Sequence, residues 1–184
     1  MYHDVIMAGF GGQGILMIGN LLAFAGLRQG LRVTFFPSYG VEMRGGTANC
    51  TVTLSDREIG SPVTSRPLGV IAMNEPSAVK FGPAIRPDGF FVVNASLVSE
   101  AAHAPDGVQS VRIPSNEIAL GLGDGRLASM VAIGAYVELT QVVPLARIEE
   151  ALAEVLPTKA KNLIPLNLQA IEAGRRFVLA RGGG

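Results

Sequence analysis

A glycine signature placed directly behind the first apolar run limits what this chain can become. His3-Asp4-Val5-Ile6-Met7-Ala8 leads into Gly-x-Gly-x-x-Gly, made by Gly9, Gly11 and Gly14. Ile15 to Gly26 follows as an apolar segment with a spine of small residues. The pattern predicts a strand over Asp4–Ala8, a tight turn, and a helix from Gly14 to Gln29 that stops at Gly30. Glycines let the backbone turn sharply and let an anion approach the helix N-terminus. There the unpaired amides and the helix dipole favour negative charge by roughly 0.3–1 kcal/mol.

The alternation of segments behind this start predicts an α/β class. A second strand spans Arg32–Phe36 and ends at Pro37; Ser38–Gly46 is a loop; Thr47–Leu54 is β-branched and alternating. The loop between those two strands is too short for a parallel crossover, so at least one pairing is antiparallel. Further strands fall at Leu68–Met73, Phe90–Asn94 and Val108–Ile113, with a short helix over Glu75–Ile85. Arg126–Val142 is apolar all round and rich in small residues, so it reads as a buried helix with close neighbours. Pro144–Leu156 is amphipathic, and Asn162–Leu179 is a last helix with Pro165 in its first turn. The expected architecture is a Rossmann-like three-layer sandwich with a mixed, mostly parallel sheet and a helical C-terminal part, residues 1–184 forming one domain.

Two stretches are candidates for a ligand site. Gly9, Gly11, Gly12, Gln13 and Gly14 form the first. The second is Glu42-Met43-Arg44-Gly45-Gly46-Thr47, in which Arg44 is suited to a bidentate contact with phosphate or carboxylate and Gly45–Gly46 to an anion nest. Its alternative is a Glu42–Arg44 ion pair that orders the loop. A nicotinamide dinucleotide needs an acid at the end of strand two for its ribose hydroxyls. Phe36, Pro37 and Ser38 stand there instead, so that ligand loses its second anchor. A phosphate cradle needs only amides and glycines; a purely structural turn stays open beside it. Gly123-Asp124-Gly125 opens like a thiamine-diphosphate motif but lacks its distal half, and reads as a turn before a helix.

Composition removes other classes. Fifteen basic and 15 acidic residues balance to a formal net charge of +0, with no basic stripe and no Trp, so nucleic-acid binding is not expected. No apolar run approaches the ~18 residues of a membrane span, and the cytoplasm is the default location. One cysteine, Cys50, leaves no internal disulfide or Cys-ligated cluster and reads as a buried structural thiol. His3 and His103 are the only histidines, and neither has triad or metal-ligand company in sequence. The 16% of charged residues, against roughly 25% in typical soluble chains, suggests a subunit that buries extra surface against partners or copies of itself. With no acid–base pair, this is the pattern of a binding or assembly subunit.

Two motifs together carry a resemblance. Met7-Ala8-Gly9-Phe10-Gly11-Gly12-Gln13-Gly14 and Tyr39-Gly40-Val41-Glu42-Met43-Arg44-Gly45-Gly46-Thr47-Ala48-Asn49-Cys50 resemble the gamma subunit of 2-oxoacid:ferredoxin oxidoreductases. The final helix, with Asn167, Ala170 and Gly174, is similar to that family's C-terminal segment. The second motif looks most like 2-oxoglutarate-type enzymes; pyruvate, branched-chain and indolepyruvate enzymes carry related domains. The resemblance implies a multi-subunit enzyme that converts a 2-oxoacid and CoA to acyl-CoA and CO2 while reducing ferredoxin. It puts thiamine diphosphate, magnesium and iron–sulfur clusters on the alpha, beta and ferredoxin-like delta partners, and leaves this chain without catalytic residues. It implies a share in CoA binding for Gly11, Gly12, Gln13 and Gly14, with Arg44, Gly45, Gly46 and Thr47 beside them. A free-standing nucleotide- or flavin-binding protein and a ligand-free scaffold remain the alternatives at this stage.

Overall fold

The computed structural model describes residues 1–39 and 46–181. Its strands are β1 (Tyr2–Phe10), β2 (Arg32–Tyr39), β3 (Thr47–Ser55), β4 (Gly69–Ala72), β5 (Phe90–Asn94) and β6 (Gln109–Ile113). Its helices are α1 (Ile15–Arg28), α2 (Glu75–Phe81), α3 (Ser115–Gly121), α4 (Ala128–Thr140), α5 (Leu145–Val155) and α6 (Ile164–Arg181). The strands form one sheet in the order β2-β3-β1-β4-β5-β6. β1, β4, β5 and β6 pair in parallel, while β3 runs antiparallel to both β1 and β2. The sheet is mixed, as the short β2–β3 connection requires.

Period-two alternation sorts the strand residues onto two faces. Val5, Met7, Cys50, Val52, Leu54, Ile71 and Val92 meet the apolar sides of α1, α4 and α5 in the larger core. Ile6, Ala8, Val70, Ala72, Phe91 and Val93 face the other way, under Ala78 of α2 and Val98 and Ala102 of the segment after β5. Helices therefore lie on both faces, but the second layer is thin. α4 is buried along most of its length, and Gly134 on it meets the backbone carbonyl of Ile171 on α6, while Gly174 on α6 meets that of Val131. These small residues let the two axes approach closely where they cross.

Several boundaries differ from the sequence reading: β1 runs on through Gly9 to Phe10 and the last helix spans Ile164–Arg181. β2 continues through Pro37 to Tyr39, because it is an edge strand with a neighbour on one side only, where a missing N–H costs least. The helix expected over Glu75–Ile85 is α-helical to Phe81 and then tightens into a 3-10 turn, Gly82–Ala84, at Pro83. The helix expected from Arg126 begins with a 3-10 turn, Gly125–Leu127, capped by the side chain of Asp124.

Candidate functional site

The glycine turn leaves the C-terminal end of β1 and enters α1. Gln13 closes it by donating its backbone N–H to the carbonyl of Phe10 at 3.1 Å. Its side chain does more: Oε1 accepts from the Phe10 amide at 2.6 Å, and Nε2 donates to the carbonyl of Met73, just past β4, at 3.3 Å. The turn is thereby tied to the neighbouring parallel strand. A Cβ on Gly9 would lie 2.5 Å from Gln13 Oε1, so the clamp itself demands a glycine there. Gly14 has φ +76, and a Cβ on it would lie 2.5 Å from Ser129 Oγ on α4. Gly12, at φ +97, has nothing within 4 Å of where a Cβ would stand. Gly9 and Gly14 answer to packing inside the chain; Gly12 is open outward.

The second predicted stretch meets the first. The Gly11 amide donates to the carbonyl of Gly46 at 2.9 Å, and Thr47 and Ala48 pair with Phe10 and Gly9. Between them lies a pocket of about 360 Å³, walled by Phe10, Ile15, Leu16, Met17 and Ala48 and floored by the glycine turn. Among the described residues the amides of Gly12, Gly14, Ile15 and Leu16 have no protein acceptor. An apolar chamber with spare amide donors at a helix N-terminus suits a ligand with an apolar body and an anionic group. Arg44 and Gly45 lie outside the described residues; Gly9, Gly11, Gly12, Gln13, Gly14, Gly46 and Thr47 are brought together.

A second crevice, about 200 Å³, adjoins the first across Gly12 and is lined by Gln13, Met73, Asn116, Gly125 and Arg126. It lies where connections change face: β1 leads to α1 over one face, β4 to α2 over the other. In open α/β sheets ligands bind at such switch points. Asp124 accepts from Arg126 Nε at 2.9 Å and from Nη2 at 2.6 Å. Those side-chain bonds, with the one from the Arg126 amide, hold its carboxyl down at about 2.

The chain is similar over residues 4–177 to the family described as pyruvate ferredoxin/flavodoxin oxidoreductase. It belongs to that family. It is 34% identical to the ketoisovalerate oxidoreductase subunit VorA of Methanothermobacter thermautotrophicus, covering 94% of this chain and 36% of the relative. It is 32% identical to the 2-oxoglutarate synthase subunit KorC of the same organism, covering 96% of this chain and 95% of the relative. The chain thus spans about a third of the VorA relatives and nearly all of KorC. Among solved structures, a keto/oxoacid ferredoxin oxidoreductase gamma subunit from Geobacter sulfurreducens superposes with a TM-score of 0.82 at 27% identity, covering 97% of this chain and 99% of that one. A 2-oxoglutarate:ferredoxin oxidoreductase from Magnetococcus marinus, solved with 2-oxoglutarate, coenzyme A and succinyl-CoA bound, does so at 0.87 and 27%, covering 97% of this chain and 31% of that one.

Within this oxidoreductase family member the remaining reactive side chains do not line the two recesses at the glycine turn. His3 Nε2 lies 2.7 Å from the Tyr136 hydroxyl, at the opposite end of β1. Burial holds His3 down at about 4, with Asp4 opposing that shift and Arg86 adding to it. Cys50 is buried on β3 with its thiol pushed up to about 12 by burial. Among the described residues there is no cluster of three or more His, Cys, Asp or Glu that could hold a metal, and no helix is long and apolar enough to cross a membrane. Asn116 and Arg126 were not foreseen as site residues. The Gly-Asp-Gly turn before Arg126 was visible, but its place across the sheet depends on how α3 and α4 return, which spacing alone does not give.

Proposed function

We propose that this chain is the gamma subunit of a 2-oxoacid:ferredoxin oxidoreductase, of the 2-oxoglutarate type, and that it helps bind CoA and assemble the complex. One observation carries the reading: spare amides at the glycine turn floor an apolar pocket whose other wall is the start of β3. CoA carries anionic phosphates on a largely uncharged body, which is what this pairing favours. The Magnetococcus neighbour, with coenzyme A among its bound molecules, supports the choice of ligand. The match to KorC over nearly its full length supports the 2-oxoglutarate type.

On this reading the chain binds and orients, while thiamine diphosphate, magnesium and the iron–sulfur clusters belong to alpha, beta and delta partners in the cytoplasm. Gly12 and Gly14, with Ile15 and Leu16, offer the free amides of the anion end, while Gly11 and Gln13 hold the turn that presents them. Gly46 and Thr47 form its wall. Arg44 and Gly45 enter from the sequence motif, Arg44 as a phosphate-binding cation.

The test uses the complex assembled from all its subunits. Gly12→Val is expected to raise the KM for CoA with little change in the KM for the 2-oxoacid. Arg44→Ala is expected to cost roughly 1.5–3 kcal/mol in CoA use, the range for hydrogen bonds to charged groups. The isolated chain is expected to show no turnover with 2-oxoglutarate, CoA, thiamine diphosphate and a viologen acceptor. Variants that assemble normally and leave CoA dependence untouched would make the turn a scaffold contact instead.

A further inference from the structure

Gly12 stands between two recesses of different chemistry. On one side is the apolar pocket beside Gly46–Ala48; on the other is the crevice walled by Asn116 and Arg126. The second offers donors. Asp124 engages Arg126 through Nε and Nη2 and so fixes the guanidinium plane, while Nη1 has no acceptor among the described residues. The Arg126 side chain is otherwise exposed and open to a ligand. Asn116 Oδ1 accepts from Asn94 Nδ2 at 3.0 Å, which turns its own amide nitrogen into the unused end.

The Met73 carbonyl and the neighbouring acids are engaged. The Met73 carbonyl takes both Gln13 Nε2 and Asn94 Nδ2. Of the nearby acids, Asp124 is paired with Arg126, and Glu117 accepts from Ser96 Oγ. What the crevice presents to an incoming group is a guanidinium N–H and an amide N–H, the complement of a phosphate oxygen. Two donor sets, the turn amides and this pair, lie on either side of one glycine. They match a ligand with two separated anionic groups.

We propose that this crevice receives an isolated phosphate of the ligand whose diphosphate lies at the glycine turn, with Arg126 and Asn116 as its specificity-determining contacts. The inference rests on the CoA reading: CoA carries a diphosphate and, detached from it, a 3′-phosphate on its ribose. Arg126 distinguishes CoA from dephospho-CoA, which lacks only that group. Asp124 acts through Arg126 as a positioning residue.

The experiment compares CoA with dephospho-CoA on the fully assembled complex, by steady-state kinetics and by calorimetric Kd. The unaltered complex is expected to prefer CoA. Arg126→Gln is expected to shrink that preference about tenfold or more, as loss of a charge-assisted contact implies. Arg126→Lys is expected to keep part of it, because a lysine retains the charge but not the fork. Equal losses on both substrates, an unchanged ratio, or an unaltered complex that does not discriminate would each overturn the assignment. If Arg126→Gln is silent while Gly12→Val still weakens CoA, the crevice fails and the CoA reading stands. If both variants are silent, both readings fail.

Discussion

The imidazole of His3 and the hydroxyl of Tyr136 lie 2.7 Å apart in the interior, locking the N-terminal end of β1 to α4. The ring of His3 also stacks over Phe90 with centroids 6.1 Å apart. Gly69 is the floor of this lock, since any Cβ there would collide with the Tyr136 hydroxyl.

Because burial lowers the His3 pKa to about 4 from an ordinary 6.5, the unfolded chain binds the extra proton first as pH falls. His3 therefore contributes stability that is present above pH 6.5 and is lost between about pH 6.5 and 4, on the order of 3 kcal/mol across that window. Urea titrations from pH 4 to 8 should show this slope, and His3→Gln should flatten it. A variant with an unchanged slope would place the pH dependence elsewhere.

The α4–α6 crossing should tolerate no side chain at its two glycines. Gly134→Val and Gly174→Val each drive a side chain into the opposing backbone, and each is expected to cost about 3 kcal/mol or more. Gly30→Ala, at φ +80 with open space around it, carries backbone strain alone and is expected to cost nearer ~1–2 kcal/mol. Denaturation midpoints of the three variants give the ranking directly.

Gly12 and Gly14 should separate ligand effects from folding effects. Gly14→Ala combines left-handed strain with the Ser129 collision and should lower stability more than Gly12→Ala, by a difference of ~1–2 kcal/mol. Adding Ser129→Gly to Gly14→Ala should recover part of that loss in thermal melts. Gly12→Ala should melt closer to the parent while still weakening CoA use in the complex.

Cys50 should be inert in the folded chain. With its pKa near 12 and its Sγ directed at the Ile15 carbonyl, only a minute fraction is thiolate at neutral pH. Alkylation by iodoacetamide should proceed at the rate of unfolding and accelerate sharply in urea. Rapid labelling of the native chain would contradict the burial of the thiol.

Much of this was readable in the sequence because local chemistry and global packing agree. The β1–turn–α1 unit, the apolar α4 and Pro165 in the first turn of α6 follow from short-range patterns. The extension of β2 through Pro37 did not, because the cost of a proline depends on whether the strand is central or at an edge. The hydrogen bond of Gly11 to Gly46 joins the two glycine-rich stretches singled out in the sequence, but it follows from the β1–β3 register, which those stretches do not reveal. The Gln13 clamp was hidden for a different reason. A glutamine beside glycines suggests a ligand contact, and only the position of Met73 across β4 shows where its amide is spent.

The reversed direction of β3 has a consequence for how this site can diversify. A parallel neighbour would have brought another strand's exit to the end of β1; the antiparallel one brings an entrance. The entrance of β3 thus lies beside the glycine turn, where the Gly46 carbonyl accepts from the Gly11 amide. A substitution at Thr47 or Ala48 can therefore reshape one wall of the pocket while β1, the glycine turn and α1 stay as they are.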